Sequence, residues 1–293
     1  MISIIIPSYN NLKYLKLCIE SIKKNSKYNN EILVHVNEGK DGSIDYLKLN
    51  NIKYTHTIYN AGLCVACNLI SKKSIFDYIL YAHDDMYFLP DWDFFLINKV
   101  QSLNTNKFYL SSLMINGDPK LNGHLNLKAG ETIENFDEKY LLDNYMSLKH
   151  QDSQGSTWAP HLIHRDLWNK INGFSEEFSP GAGSDPDLNM KLWKEGVRIF
   201  QCISKSRVYH FGSITIRKKE GNNFKRNQGS RANKIFLLKW GISIRTFKKH
   251  FLKANTIHNN DLKDPVKNVS YLLDLIKDKF IIFYYQIFFK KKK

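Results

Sequence analysis

The sequence has few cysteines and no long apolar run, and each shortage excludes a class of protein. Four cysteines in 293 residues are too few for a disulfide scaffold and suit a reducing compartment. The longest apolar stretch near the C-terminus, Phe280 to Phe289, is interrupted by Gln286, whereas a membrane span needs roughly 18 apolar residues. The opening MISIIIPSYNN is short and lacks a basic start, so we expect a strand there and not a signal peptide.

Acidic residues are scarce only toward the C-terminus. Residues 1–211 carry 23 basic and 23 acidic side chains, whereas residues 212–293 carry 20 basic and 5 acidic ones. The whole net charge of +15 therefore lies in the last 82 positions. A uniformly basic chain would indicate a histone-like or ribosomal partner, but this pattern indicates a neutral body with a basic end.

The first hundred residues alternate between strand and helix patterns. Hydrophobic residues make up 43% of the chain and aromatic residues 13%, which is enough for a large core. The β-branched run Ile2–Pro7 is typical of a buried parallel strand, and a helical repeat follows from Leu12. Similar strands are expected at Ile32–Val36 and Tyr78–Ala82. This alternation predicts an open, doubly wound, mostly parallel α/β sheet.

In such sheets the ligand binds beyond the carboxyl ends of the strands. Polar clusters follow three of the expected strands, at Pro7–Asn10, Asn37–Ser43 and His83–Asp85. We therefore expect these three clusters to converge on one site.

The adjacent acids Asp84 and Asp85 are the first candidates for chemistry. Their mutual repulsion is relieved by a cation, and Mg²⁺ or Mn²⁺ prefers carboxylate and phosphate oxygens. The alternative is a solvated loop with helix-capping aspartates. His210, alone at the end of a late strand, is either a structural histidine or a further metal ligand.

A second acidic pair, Asp185 and Asp187, lies where a Gly/Pro/Ser loop meets a helix. Asp185 precedes Pro186 and is either the helix N-cap or a general base for a substrate hydroxyl. Asp187 faces another side of the helix and is expected to be a structural ligand of the loop. Cys64 and Cys67 have redox-motif spacing without a second pair, which favours core packing.

Taken in order over residues 1–212, these segments resemble family 2 glycosyltransferases, the inverting nucleotide-sugar-dependent enzymes of the GT-A fold. Residues 3–10 resemble the opening strand and nucleotide-binding turn, and residues 31–45 the second strand with its DDGS-x-D loop. Residues 81–85 resemble the metal-binding DxD motif, although His83 replaces its first acid. Residues 184–188 resemble the acceptor-side EDxDL motif, although Ser184 replaces its Glu.

The resemblance implies a role for each matched residue. Asp85, with His210, is expected to hold Mn²⁺ or Mg²⁺, and Asp185 to be the catalytic base. The nucleotide-sugar donor is expected to contact Pro7, Ser8, Tyr9, Asn10, Glu38, Asn60, Gly62, Asp84 and Arg226. The acceptor side is expected to include Trp158, Ser184 and Asp187.

The implied activity is transfer of a hexose from a UDP-sugar to a hydroxyl of a glycan or lipid-linked acceptor. Surface polysaccharide biosynthesis on the cytoplasmic side of a membrane is the expected setting. Two alternatives stay open, namely a non-catalytic nucleotide-sugar or glycan-binding module and a nucleic-acid-binding protein that uses the basic end. The neutral body disfavours nucleic acid.

The expected organisation is a catalytic domain over 1–211, divided near residue 100 into a nucleotide-sugar half and an acceptor half. A mobile basic loop over 212–232 either covers the donor's phosphates as a lid or is a solvated charge run. A helical extension over 233–293 ends in an aromatic segment and four lysines. That end either binds an anionic membrane surface or packs on the body or on a second subunit.

Overall fold

The computed structural model describes residues 1–117, 125–212, 221–257 and 260–289, except for the side chains of residues 221–226, 288 and 289. All described strands join one ten-stranded sheet. They are β1 Ile2–Tyr9, β2 Glu31–Asn37, β3 Lys53–Thr57, β4 Tyr78–Tyr81, β5 Met86–Phe88, β6 Phe108–Asn116, β7 Leu125–Asn126, β8 Ser153–Gln154, β9 His161–His164 and β10 Ile199–His210.

Helices flank this sheet and continue beyond it. They are α1 Leu12–Asn25, α2 Ser43–Leu49, α3 Leu63–Ser71, α4 Trp92–Gln101, α5 Glu138–Asn144, α6 Arg165–Lys170, α7 Ser184–Lys194, α8 Gly221–Trp240, α9 Ile244–Thr246 and α10 Val269–Phe289. Short 3₁₀ turns cover Ile133–Asn135, Tyr145–Ser147 and Glu176–Phe178, and a π-helical turn, Phe247–Phe251, continues α9. None of the described helices is long and apolar enough to cross a membrane.

The N-terminal half of the sheet is parallel, as the sequence predicts. The main strand order is β3-β2-β1-β4-β9-β6-β10-β5, and β1 runs parallel to both β2 and β4. Ile4, Ile5 and Ile6 of β1 are fully buried, which explains the continuous apolar run. The expected α/β fold with a mostly parallel central sheet and flanking helices is confirmed.

The C-terminal half contains the antiparallel pairings. β9 lies antiparallel between β4 and β6, and β5 pairs antiparallel with the end of β10. In the β5–β10 pair, His210 lies opposite Met86, and the Phe211 N–H donates to the Asp85 carbonyl oxygen at 3.1 Å. Two segments more than a hundred residues apart therefore meet at the edge where β1 ends.

The region after β10 packs on the body. Ala232 and Phe236 of α8 are buried in the same hydrophobic cluster as the β1 isoleucines. The predicted mobile loop over 212–232 is therefore wrong for residues 221–232, which are helical because α8 buries one apolar face on the body. Residues 213–220, with the expected lid residues Arg217, Lys218 and Lys219, lie outside the described residues.

A buried carboxylate joins α7 to α8. Asp187 is fully buried, and its Oδ1 atom accepts a hydrogen bond from Trp240 Nε1 at 2.7 Å. The Lys239 ammonium lies 3.0 Å from the same oxygen. The enclosed carboxylate favours the structural alternative for Asp187 over a place on the acceptor side, although its partners come from α8 and not from the loop before α7.

We expect Asp187→Ala to lower the free energy of unfolding by about 3 kcal/mol, because it leaves the Lys239 charge and the Trp240 donor without their partner. Urea denaturation followed by circular dichroism measures this. Asp45→Ala, on an exposed position of α2, is the matched control and should change stability by less than about 0.5 kcal/mol. Equal stability of the two variants would show that Asp187 does not anchor α8.

Candidate functional site

The carboxyl ends of β1 and β4 meet at Asp84. Its buried carboxylate accepts hydrogen bonds from Ser8 Oγ at 2.7 Å and from Asn11 Nδ2 at 3.1 Å. Burial and the neighbouring Asp85 charge raise the pKa of Asp84, and the two hydrogen bonds oppose that rise. The structure thus brings Ser8 and Asp84 together as predicted and adds Asn11, a residue that no sequence motif marks as part of the site.

Glu38 lies beside the end of β1. Its carboxylate accepts hydrogen bonds from Asn10 Nδ2 at 2.9 Å and from Tyr9 OH at 3.4 Å. Glu38 has a φ of 62°, and the Asn10 Oδ1 atom holds the loop by accepting the Lys40 N–H at 3.0 Å. Three residues predicted to contact the donor therefore form one polar cluster across the β1 and β2 ends.

A histidine–aspartate cluster follows β4. Ligand atoms of His83, Asp85 and His210 lie within 4.8 Å of one another. His210 Nε2 is 3.3 Å from Asp85 Oδ1, and His83 Nδ1 is 3.9 Å from the same oxygen. Burial lowers the pKa of His83 to about 4, although the Asp85 charge opposes this, so its imidazole is neutral near pH 7.

This cluster has the composition of a transition-metal site. Neutral imidazole nitrogens and one carboxylate suit Mn²⁺ and similar ions, and the buried His210 Nε2 has no hydrogen-bond partner among the described residues. Asp85 and His210 are the predicted ligands. In the resemblance to the DxD motif, His83 is only the residue that replaces the first acid. Its position beside Asp85 and His210 makes it a third candidate ligand.

Asp185 is placed by the start of α7. The helix begins at Ser184 after Gly183, whose φ is 80°, and the N-cap makes no side-chain hydrogen bond. The N-cap alternative for Asp185 is therefore wrong. Its buried Oδ1 atom has no hydrogen-bond partner among the described residues, and His161 Nδ1 is 3.8 Å away.

The surroundings of Asp185 favour a proton acceptor. Burial raises its pKa to about 7, and the nearby Lys248 ammonium limits the rise. His161 is fully buried, accepts or donates a 2.9 Å hydrogen bond with Tyr109 OH, and has a pKa lowered to about 3 by burial. A carboxylate that titrates near neutral pH is suited to general base catalysis.

Three neighbours of Asp185 were missed from the sequence. Tyr109 lies on β6, His161 on β9 and Lys248 in the π-helical turn of the basic end. Only the fold brings these residues to Asp185, so no local pattern could have identified them.

The other residues predicted to contact the donor or the acceptor make contacts with the protein itself. Gly62, with a φ of 82°, packs against Ser179 and Pro180, while Asn60 Oδ1 accepts the Gly62 N–H at 3.0 Å. Pro7 is part of β1 opposite His35. Ser184 Oγ donates to the Gly181 carbonyl at 2.7 Å.

Two further predictions concern the acceptor side and the basic end. Trp158 lines a cavity of about 920 Å³ that Lys248 also lines. The side chain of Arg226 lies outside the described set. Cys64 and Cys67 are buried free thiols, as the packing interpretation predicts.

Comparison with known proteins identifies the family of the chain. The family model described as Glycosyl transferase family 2 matches residues 3–165, more than half of the chain. No curated protein sequence matches the chain significantly.

Solved structures match the fold at low sequence identity. TarS residues 1–349 from S. aureus matches with a TM-score of 0.53 and 13% identity, covering 80% of this chain and 71% of that one. The same protein in complex with UDP-GlcNAc has a TM-score of 0.53 and 13% identity, with coverage of 84% and 74%. GalNAc-T7 with UDP, GalNAc and Mn²⁺ has a TM-score of 0.54 and 17% identity, with coverage of 72% and 43%.

The pKa of Asp185 predicts how its replacement affects stability. Its pKa rises from 3.8 in the unfolded chain to about 7 in the folded one, so between these pH values the unfolded state binds fewer protons. The cost of the buried charge therefore grows as pH rises through this range. We expect Asp185→Asn to raise the free energy of unfolding by roughly 1 to 3 kcal/mol at pH 8 and by less at pH 5.

Urea denaturation at the two pH values measures this difference. Asp45→Asn, which is exposed, is the control and should give the same small change at both. A gain for Asp185→Asn that is larger at pH 5 than at pH 8 would contradict the raised pKa.

Proposed function

We propose that this chain, which belongs to glycosyl transferase family 2, is a metal-dependent inverting enzyme that transfers a hexose from a UDP-sugar to an acceptor hydroxyl. The observation that carries the proposal is the His83–Asp85–His210 cluster beside Asp84, on the same sheet edge as the Tyr9–Glu38 cluster. Asp185 and its buried neighbour His161 supply a separate proton acceptor. Metal ligands, a donor cradle and a base are the parts that such a transfer requires.

Mn²⁺ or Mg²⁺ would be held by Asp85, His210 and His83. When bound, the ion would stabilise the charge that develops on the departing diphosphate. Asp84 is held by Ser8 and Asn11 beside this cluster, where it can position the ribose or the sugar. Mn²⁺ is present in the GalNAc-T7 structure, which supports this assignment.

The acceptor side supplies the nucleophile and takes its proton. The acceptor oxygen attacks the anomeric carbon from the face opposite the diphosphate, and its proton passes to the Asp185 carboxylate. The bond from the anomeric carbon to the diphosphate oxygen breaks, and its electron pair leaves with UDP. One displacement inverts the anomeric carbon and needs no protein nucleophile.

UDP is the proposed nucleotide because structures with a similar fold contain UDP or UDP-GlcNAc. Tyr9, Asn10 and Glu38 form the polar surface against which we place the base and ribose. We further propose a glycan or lipid-linked acceptor and a role in surface polysaccharide biosynthesis.

Binding and turnover can be separated by two variants. We expect UDP with Mn²⁺ to raise the Tm of the wild-type protein, because a ligand of the folded state stabilises it. Asp85→Ala should lose the Mn²⁺-dependent part of this shift. Asp185→Asn should keep it while losing transfer by about 100-fold or more, since it removes the base alone.

A panel of UDP-sugars, with and without Mn²⁺, supplies the donors for both measurements, and Asp166→Ala, at an exposed position of α6, is the control. Full transfer by both site variants would refute the assignment. A Tm shift without turnover by the wild-type protein on any donor would instead favour the non-catalytic binding module.

The last helix, α10, presents an apolar face away from the body. Its docked side carries two buried acids: Asp274 contacts Lys249 and His250, and Asp278 accepts the Ser243 N–H at 2.8 Å. Its outward side carries large exposed apolar residues: Val269, Leu272, Leu273, Ile276, Phe280, Ile281, Phe283, Tyr284 and Ile287. A helix docked by its acids leaves its apolar side to another partner.

We propose that this partner is an anionic membrane surface. Residues 212–293 carry 20 basic and 5 acidic side chains, and four lysines follow the helix in the sequence. Two such ends repel each other, whereas an anionic lipid surface attracts both the charge and the apolar face. Charge therefore favours lipid over a second copy of the chain.

We expect the double variant Phe280→Asp and Phe283→Asp to reduce partition onto vesicles of phosphatidylglycerol and phosphatidylcholine by about 1000-fold, because each buried ring contributes roughly 2 kcal/mol. Co-sedimentation measures this, and Phe280→Leu with Phe283→Leu is the matched control that should keep binding. If the wild-type protein does not bind these vesicles, the apolar face of α10 does not contact lipid. The same conclusion follows if the two aspartates convert a dimer into a monomer.

A further inference from the structure

Two cavities share a wall at Lys248, in the π-helical turn after α9. The first, of about 920 Å³, also has Lys149, Trp158 and Asp152 in its walls. The second, of about 720 Å³, adds Arg245, Lys249 and Lys253. Lys248, Asn255 and Thr256 belong to both cavities. We refer to the two together as the Lys248 groove.

The groove carries an excess of positive charge. Asp152 is the single acid that the described residues contribute to its walls, and it accepts the Ser204 N–H at 2.8 Å and a hydrogen bond from Gln201 Nε2 at 3.2 Å. Lys249 is already paired with Asp274. The other cations, Lys149, Arg245, Lys248 and Lys253, have no acidic partner within ion-pair distance in the described part of the chain.

Lys248 is the most buried of these four cations. Its side chain is partly buried beside the fully buried Phe247, and its ammonium makes no hydrogen bond with a described residue. Burial lowers its pKa, and the Asp185 charge opposes that change. A partly desolvated ammonium without a partner leaves its donors available to an anion.

The groove is also connected to the proposed base. The Lys248 charge opposes the rise in the Asp185 pKa, and the Asp185 charge opposes the fall in the Lys248 pKa. The two groups therefore lie within electrostatic reach of each other. On the other wall, the Trp158 carbonyl accepts Tyr109 OH at 3.2 Å, and Tyr109 contacts His161, the neighbour of Asp185. An anion bound beside Lys248 therefore lies on the acceptor side of Asp185.

We propose that the Lys248 groove binds a phosphate group of the acceptor and so places the acceptor hydroxyl at Asp185. This inference rests on the proposed glycosyltransferase function and names its acceptor class. Several separate lysine and arginine donors suit the oxygens of a phosphate better than a neutral sugar. The phosphate belongs either to a soluble phosphorylated sugar or to a lipid-linked one, and both present the same group to the groove.

Three variants isolate the contribution of the cation. Lys248→Met removes the charge at similar volume, Lys248→Arg keeps it, and Lys194→Met changes an exposed lysine of α7 as the control. Calorimetric titration with inorganic phosphate is done after the donor site has been filled with UDP and Mg²⁺. We expect Lys248→Met to weaken phosphate binding by about 10-fold or more, because a hydrogen bond to a charged group is lost. Lys248→Arg and the control should remain close to wild type.

Two further probes distinguish the sources of the phosphate. Glucose 1-phosphate represents the soluble source, and phosphatidylcholine vesicles carrying a prenyl phosphate represent the lipid source. Binding of either probe that depends on Lys248 supports the proposal, and the stronger probe identifies the source.

Other results overturn the proposal or separate it from the proposed function. Absence of phosphate binding by the wild type, or equal binding by Lys248→Met, would overturn it. Loss of UDP binding in Lys248→Met would also overturn it, because Lys248 would then belong to the donor site. If the wild type fails to bind UDP yet binds phosphate through Lys248, the result supports the anion site and refutes the proposed transferase function.

Discussion

The antiparallel pairing of β5 with the end of β10 is the constraint on which the site depends. It places His210 opposite Met86, one residue after Asp85, and the Phe211 N–H closes the pair on the Asp85 carbonyl. Without that pairing, Asp84 would keep its hydrogen bonds from Ser8 and Asn11, but Asp85 would lose His210 as its neighbour. With it, a carboxylate and two imidazoles converge within 4.8 Å. The proposed metal site is therefore a product of strand register.

Asp84 and Asp187 are buried and Asp185 is partly buried, and the three carboxylates are stabilised in ways that indicate what each can do. Asp187 has a lysine and an indole donor, so it holds two helices together. Asp84 accepts two side-chain hydrogen bonds, which fix its orientation at the proposed donor side. Asp185 Oδ1 and Asp187 Oδ2 both lack a hydrogen-bond partner among the described residues, but Asp185 has no lysine at ion-pair distance there, and burial raises its pKa to about 7. Poor solvation of a carboxylate disfavours its charged form, which lowers the free energy of unfolding. The same effect raises the pKa of the carboxylate, so it takes up a proton more readily.

The C-terminal extension belongs to the site as well as to the surface. Its buried residues join the main hydrophobic cluster, and its π-helical turn carries Lys248 to the neighbourhood of Asp185. The basic end therefore contributes to three proposed contacts: an anionic acceptor, the proton acceptor and a membrane surface. Its charge is distributed among sites with different chemistry.

Local sequence patterns were enough to predict the parallel α/β half, the adjacent acids after β4 and the base candidate at the start of α7. These are local signals: a β-branched run, a strand end followed by carboxylates, and a loop that leads into a helix. The sequence also indicated the family, because motifs that resemble those of family 2 glycosyltransferases occur in order along the chain. The tertiary structure alone decided that His83 joins the metal candidates, that Asp187 is enclosed and that His161 and Lys248 flank Asp185. Each of these depends on contacts between segments far apart in the chain, whose meeting is set by strand register and helix docking, and no local pattern of residues encodes that meeting.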